Sequence, residues 1–125
     1  MNIQQHVDYW RKGSDEDAET AAILLEKAKL REGIFFVHLS MEKILKAHIT
    51  RTTDAPPPKS HNLVQLMQCA GLSLTQEWLG LFRVLNSYCM EGRYPDQVAP
   101  PPVPQRAREI FQQAEEVRKW LIAQL

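Results

Sequence analysis

The sequence predicts an all-α protein, folded as an antiparallel up-and-down bundle of four to five helices: two long, two shorter and one closing C-terminal helix. Apolar residues recur with the helical period from end to end, and no segment shows sustained period-two alternation. Two proline-rich stretches, TTDAPPPK and EGRYPDQVAPPPVP, interrupt this pattern. At 125 residues the chain is long enough for one hydrophobic core, so we expect a single domain over residues 1–125.

The first segment predicts one long helix. Its apolar residues fall in a single stripe when wound at about 100° per residue. They are Ile3, Val7, Trp10, Ala18, Ala21, Leu25 and Ala28. The alternative takes SDED, which begins at Ser14, as a new helix start with acidic residues in its first turn. Because the stripe keeps its phase across Gly13, we favour one helix.

A turn at Glu32–Gly33 is expected to lead into a second helix over about Ile34 to Thr52, which the proline run then ends. Ser60 is expected to cap a short third helix that stops at Gly71.

Thr75 is expected to cap a fourth helix. Its predicted buried stripe comprises Trp78, Leu81, Phe82, Leu85, Tyr88 and Cys89. Pro104 suits the first turn of the final helix.

Composition excludes several classes of protein. Fifteen basic and fifteen acidic residues cancel, whereas proteins that coat nucleic acid are strongly basic, so any phosphate contact must be local. The two cysteines, Cys69 and Cys89, match no zinc or redox spacing and are expected in the core. There is no signal-peptide pattern and no apolar run of membrane-spanning length. We therefore expect a soluble cytoplasmic protein, and no cofactor.

Three polar residues follow the border of the main buried face of the second helix: Arg31, His38 and Glu42. His38 and Glu42 are four apart, so their side chains can touch. The structural interpretation is a salt bridge at this border or a histidine whose hydrogen bonds are satisfied there. The functional interpretation is a polar row that lines a binding groove beside Arg93. No metal site is expected, because these two residues supply two ligands and no third stands at motif spacing.

A second apolar strip on the same helix contains Phe36, Leu39 and Ala47, interrupted by Lys43 and Lys46. Apolar residues on both sides indicate a helix that is buried on both sides. Such a helix either lies at the centre of one bundle or packs against a second copy of the chain. We expect a homodimer.

The stretch EGRYPD places Arg93 and Tyr94 where a loop leaves a helix. Arginine presents a planar, permanently charged fork that suits phosphate, and tyrosine offers an aromatic face for a base. The structural alternative is that Arg93 pairs with Glu91, Asp96 or Glu42 while Tyr94 plugs the end of the bundle. His61, near the start of the third helix, either caps that helix or faces the groove.

In order and spacing, FFVHLSMEKILKAHI, then PPPKSHNLVQL, then EGRYPD resemble the HEPN (higher eukaryotes and prokaryotes nucleotide-binding) domain family. The opening segment fits the family's first helix, so the resemblance covers essentially the whole chain. It implies an antiparallel helical bundle that dimerises through its central helices. It also implies action beside a small nucleotidyltransferase in a toxin–antitoxin-like pair. Many members are metal-independent endoribonucleases that use an arginine and a histidine with four to six residues between them.

This chain departs from that catalytic pattern. Val98 and Ala99 stand where the histidine is expected after Arg93, and no histidine follows downstream. Arg31 and His38 satisfy the spacing numerically, but on the second helix, so we interpret that pair as coincidental. In metal-free RNA cleavage, histidine moves a proton while arginine stabilises the phosphorane charge.

We therefore expect a non-catalytic HEPN-type module that dimerises and pairs with a nucleotidyltransferase. Its candidate ligand is a nucleotide or RNA phosphate, held near Arg93, Tyr94, His38 and Glu42. One alternative is a metal-independent endoribonuclease toxin that uses Arg31 with His38 or Arg93 with His38. The other is a purely structural helical adaptor, in which Arg93 and Tyr94 lock the loop.

Overall fold

A computed structural model describes residues 1–125 and contains five α-helices, one short 3-10 helix and no strand. The helices are α1 (Ile3–Glu26), α2 (Leu30–Thr53), α3 (Leu63–Cys69), α4 (Gln76–Asn86) and α5 (Pro104–Ala123), and the 3-10 helix covers Pro95–Gln97. The predicted all-α class and the order of two long, two shorter and one closing helix are confirmed.

Helix α1 is continuous, as the phase of its apolar stripe predicts. It starts with a capping box, in which Asn2 Oδ1 accepts from the Gln5 amide at 2.8 Å and Gln5 Oε1 accepts from the Asn2 amide at 2.9 Å. Ser14 begins no new helix, because its buried hydroxyl donates to the Ser40 carbonyl at 2.7 Å. That bond ties the middle of α1 to the middle of α2.

The predicted turn at Glu32–Gly33 is wrong. The chain reverses earlier, at Lys27–Lys29, where Ala28 takes a φ of 60°. Gly33 lies inside α2, and a Cβ built on it would stand 2.6 Å from Leu25 Cδ2. Because Gly33 has no side chain, α1 and α2 can approach closely at this point. In the sequence, a glycine at a close helix contact cannot be distinguished from a glycine in a turn.

One of the two expected caps and the expected first-turn proline of the last helix are found. Thr75 accepts from the Trp78 amide at 3.2 Å to start α4, and Pro104 stands in the first turn of α5. The cap of α3 is Asn62 rather than Ser60, because the Asn62 side chain accepts from the amides of Val64 and Gln65.

Two details of the predicted core need correction. Helix α4 ends at Asn86, so Tyr88 and Cys89 are buried in the turn that follows it. Cys69 is exposed, whereas Cys89 is buried, so only one cysteine belongs to the core.

Helix α2 is the centre of the bundle and packs against all four other helices. Helices α1 and α2 form an antiparallel hairpin, and α5 runs antiparallel to α1, where Arg118 pairs with Asp15. One core cluster contains residues from all five helices. The prediction of a sandwiched second helix is confirmed.

The second apolar strip of α2 is partly covered within the chain. Ala47 is fully buried, and Lys46 is buried with its ammonium 5.5 Å from the ring centre of Trp10 on α1. Lys43 reaches Asp17 of α1 at 2.8 Å. Part of the two-sided pattern of α2 is therefore explained by its packing against α1, whereas Phe36 and Leu39 stay half-buried.

None of the helices combines the length and the apolar character needed to cross a membrane.

Candidate functional site

A small polar cleft opens where the start of α3 meets the end of α4. Its volume is about 130 Å³. The lining residues are His61, Asn62, Asn86, Cys89, Glu91 and Arg93. The loop after α4 and the segment before α3 both contribute to it, so it depends on the packing of two short helices.

Two asparagines hold the frame of this cleft. Asn86, the last residue of α4, donates from Nδ2 to Asn62 Oδ1 at 3.1 Å. Its own Oδ1 accepts from the Leu63 amide at 3.0 Å. Because Asn62 also caps α3, the end of α4 is bonded directly to the start of α3, and the two walls of the cleft are joined.

His61 bridges two carboxylates at the centre of the site. Its Nδ1 lies 2.9 Å from Glu42 Oε1, and its Nε2 lies 3.0 Å from Glu91 Oε2. Ionised carboxylates only accept hydrogen bonds, so a donating ring nitrogen suits each contact. The His61 ring is therefore held between two acids, one on α2 and one on the loop after α4.

Glu42 has two partners and is almost closed to water. Its Oε2 accepts from Lys46 Nζ at 3.1 Å, and the two side chains are 7% and 8% exposed. This matches the ion-pair interpretation of the polar row, although the partner is Lys46 and not His38. Glu42 therefore fixes His61 from beneath the cleft, while its charge is balanced by Lys46.

His38 does not line the cleft. It is fully buried, and its Nε2 lies 2.8 Å from the His61 carbonyl oxygen, to which it donates as Nε2–H. Burial lowers the pKa of His38 below the ordinary value of 6.5, with Glu42 acting in the opposite direction. The predicted border position is thus wrong: the neutral ring positions the backbone of His61 from inside the core.

Arg93 is exposed at the cleft and has no carboxylate partner. Its Nη1 donates to the Asn86 carbonyl at 3.2 Å. The structural alternative required a pair with Glu91, Asp96 or Glu42, and none forms, because Glu91 turns to His61 instead. The rest of the guanidinium fork is free to meet an anion from solution.

Tyr94 does not plug the bundle either. It is 75% exposed, and its backbone amide donates to Gln97 Oε1 at 3.0 Å. The neighbouring buried aromatic is Tyr88, whose hydroxyl donates to the Pro100 carbonyl at 3.1 Å. Tyr94 therefore offers its ring to solvent directly after Arg93.

Arg31 acts on the loop rather than on the cleft. It donates to the carbonyls of Pro95 at 2.7 Å and of Val98 at 3.4 Å, which holds the segment after Tyr94 against α2. Arg31 and His38 are two helical turns apart, about 10 Å along the axis. The structure therefore does not assemble them into a pair.

From sequence alone the role of His61 stays open, and neither Asn86 nor Glu91 stands out as a ligand residue. His61 faces the cleft while Asn62 does the capping. In the sequence, SHNL and EGRYPD both lie in irregular segments between helices. Side chains from two such segments can meet on one surface, and this is the signal that could have linked them.

The buried thiol of Cys89 lies in the same wall of the cleft. Burial raises the pKa of that thiol, so it stays protonated. No group of three or more His, Cys, Asp or Glu is arranged to hold a metal ion.

The chain is an all-α helical bundle with a polar cleft between its two short helices. Comparison with known proteins then identifies its family. The model of the HEPN domain matches residues 7–125. The chain belongs to the HEPN domain family. It is also similar to the crystal structure of TT1696 from Thermus thermophilus, with 19% sequence identity, full coverage of both chains and a TM-score of 0.76. At that identity the likeness shows the fold. A search of curated proteins found no match.

Proposed function

We propose that this chain is a non-catalytic HEPN-type module that dimerises, pairs with a small nucleotidyltransferase in a toxin–antitoxin-like system, and holds a nucleotide or RNA phosphate at Arg93. The observation that carries the phosphate contact is the state of Arg93. Its guanidinium is exposed at a polar cleft and bonded only to a backbone carbonyl. A free guanidinium fork is a strong donor for phosphate oxygens.

The candidate ligand residues divide into three roles. Arg93 contacts the phosphate, and exposed Tyr94 presents an aromatic face on which a base can stack. Glu42 and His38 support the site from the core, because the first holds the His61 ring and the second holds the His61 carbonyl.

Proton transfer by His38 has no support in this geometry. The ring is closed to solvent, its Nε2 is occupied, and its pKa is lowered. Substrate RNA would need to reach an atom beneath the surface. This favours binding over cleavage by the residues that the sequence first suggests.

Surfaces for a partner remain on the outer helices. A groove of about 550 Å³ runs between the end of α1 and the start of α5, with Leu25, Leu30 and Phe111 in its lining. Ile23 and Val103, next in the chain to lining residues, are exposed. Exposed apolar side chains beside a groove are typical of protein interfaces, so a second copy or a nucleotidyltransferase has a surface to cover.

Titration with a small nucleotidyltransferase from the same organism tests the pairing. We expect a complex at micromolar concentrations and a dimer by analytical ultracentrifugation. If no complex and no dimer form in that range, the assembly part of the proposal is wrong.

Phosphate binding is tested separately by calorimetric titration with adenosine 5′-monophosphate. Arg93→Gln should weaken binding at least about tenfold, since a hydrogen bond to a charged group contributes about 1.5–3 kcal/mol. Arg83→Gln is the matched control, because Arg83 is an exposed arginine on α4 outside the cleft. If Arg93→Gln lowers the melting temperature and leaves binding of nucleotide and partner unchanged, the structural adaptor is the better description.

A second candidate function, metal-independent RNA cleavage, is favoured by one observation. His61 lies in the cleft that Arg93 lines, with Nδ1 held by Glu42 and Nε2 toward the opening. A carboxylate-oriented histidine beside an arginine is an arrangement suited to proton transfer at a phosphate. RNA incubated with the protein and a chelator decides this. Cleavage lost in both His61→Ala and Arg93→Ala supports an enzyme, and no cleavage by the unaltered protein excludes it.

A further inference from the structure

We infer that Glu91 occupies, in the free protein, the place of a ligand's anionic oxygen, and that a terminal phosphate displaces it to bind between His61 and Arg93. This deepens the proposed function, on which it rests, by naming a second donor, an internal competitor and the charge class of the ligand.

The first step is geometric. The outward nitrogen of His61, Nε2, points at Glu91 Oε2 at 3.0 Å, and the same cleft is lined by Arg93. An oxygen at that position can accept a hydrogen bond from this nitrogen. The Glu91 carboxylate is therefore a built-in substitute for an anionic ligand at this nitrogen.

The second step concerns how easily Glu91 leaves. Its side chain is 48% exposed, whereas that of Glu42 on the other ring nitrogen is 7% exposed. Exposed ion pairs are weak, and buried ones are costly to break. An incoming anion therefore displaces Glu91 and leaves His61 anchored on Glu42.

The third step is charge. Two fixed cations, Lys46 and Arg93, stand against the carboxylates of Glu42 and Glu91. Once Glu91 swings out, the Arg93 guanidinium and the outward nitrogen of His61 both face the cleft without an anionic partner. A terminal phosphate monoester carries nearly two negative charges at neutral pH, whereas a phosphodiester carries one. The cleft volume of about 130 Å³ suits one phosphate group with the rest of the molecule outside.

The test compares three probes, inorganic phosphate, adenosine 5′-monophosphate and the dinucleoside ApA, by calorimetric titration. The first two should bind more tightly than ApA, whose single phosphate is a diester. Equal affinity for ApA and adenosine 5′-monophosphate would overturn the monoester assignment.

The decisive variant is Glu91→Gln, which keeps the size of the side chain and removes its charge. It should tighten binding of inorganic phosphate about two- to fivefold, the range that an exposed ion pair supplies. Asp96→Asn is the control, because Asp96 is an exposed acid on the same loop and does not line the cleft. It should leave the affinity within about 1.5-fold, since distant exposed charges are screened.

The outcomes separate this inference from the proposed function. If Glu91→Gln leaves binding unchanged or weakens it, while Arg93→Gln abolishes it, displacement of Glu91 is wrong and the phosphate contact of Arg93 stands. An equal gain in Asp96→Asn would also overturn the inference, because it would indicate a general charge effect. If neither phosphate nor adenosine 5′-monophosphate binds any variant, both the inference and the phosphate part of the proposed function fail.

Discussion

Replacing Glu42 with glutamine should destabilise the protein far more than an equivalent change on the surface. Glu42→Gln keeps the shape of the side chain and removes its charge. Lys46 is then left 8% exposed without a carboxylate, with only the Trp10 ring at 5.5 Å as a partial substitute. His61 loses its anchoring acid at the same time.

The size of the effect follows from the distance and the burial. Two unit charges at the observed 3.1 Å attract by about 5 kcal/mol at an effective dielectric constant of about 20. The variant no longer has to desolvate the carboxylate, which offsets part of that loss, and removing one partner of a buried pair costs about 3–5 kcal/mol. Because Lys46 keeps its contact with Trp10, we expect a decrease of about 3 kcal/mol in the free energy of unfolding.

The chain supplies its own control in Lys12 and Glu16. This pair has the same residue types four apart on a helix, but it is 4.0 Å apart and 80% and 64% exposed. Glu16→Gln should change the free energy of unfolding by less than about 0.5 kcal/mol.

Urea unfolding followed by circular dichroism measures both variants. The double variant with Glu42→Gln and Lys46→Met should recover much of the loss, since it leaves no unpaired buried charge. Similar losses in Glu42→Gln and Glu16→Gln, or a loss below about 1 kcal/mol in Glu42→Gln, would refute the reasoning from burial.

Two further predictions concern packing and pH. Gly33→Ala should destabilise by about 1 kcal/mol, because its Cβ would meet Leu25 at 2.6 Å and overpacking outweighs the gain in helix propensity. Gly80→Ala, with open space around it, should stabilise by up to about 1 kcal/mol, and equal shifts in urea unfolding would contradict this. Burial lowers the pKa of His48 below 6.5, so its contribution to stability is present above that value and is lost as pH falls through the lowered pKa. His48→Gln can still donate to the Leu121 carbonyl and does not titrate, so its stability should fall less steeply below about pH 6.5, by at most about 1.4 kcal/mol per pH unit. An unchanged slope would contradict the assignment.

Helix existence and order could be predicted because they depend on residues that are near one another in the chain. The apolar stripe of α1 keeps its phase across Gly13, and that phase alone excludes a new start at Ser14. The cap at Thr75 and the first-turn proline Pro104 are likewise local signals. The turn before α2 was misplaced because Gly33 is also a local signal, and its cause is a contact with Leu25 on another helix.

The candidate site could be predicted only in part. Arg93 was selected because no core position explains it, and the structure leaves it without a carboxylate partner. His38 and Glu42 were selected from their spacing on one helix, which gives their direction but not their depth. Both are buried, because α2 packs against all four other helices.

The residue pattern alone determined that the regular structure of this chain is helical and where the helices are interrupted. It also identified the loop that carries Arg93, an arginine that no core position explains. The meeting of Glu42, His61 and Glu91 required the packed molecule. These three residues stand on α2, before α3 and after α4, and no periodicity links them. The helical period determines in which direction each side chain points from the axis of its helix. The distances between side chains on different helices depend on how the helices pack. Hydrogen bonds such as those of His61 depend on these distances, so the sequence pattern does not predict them.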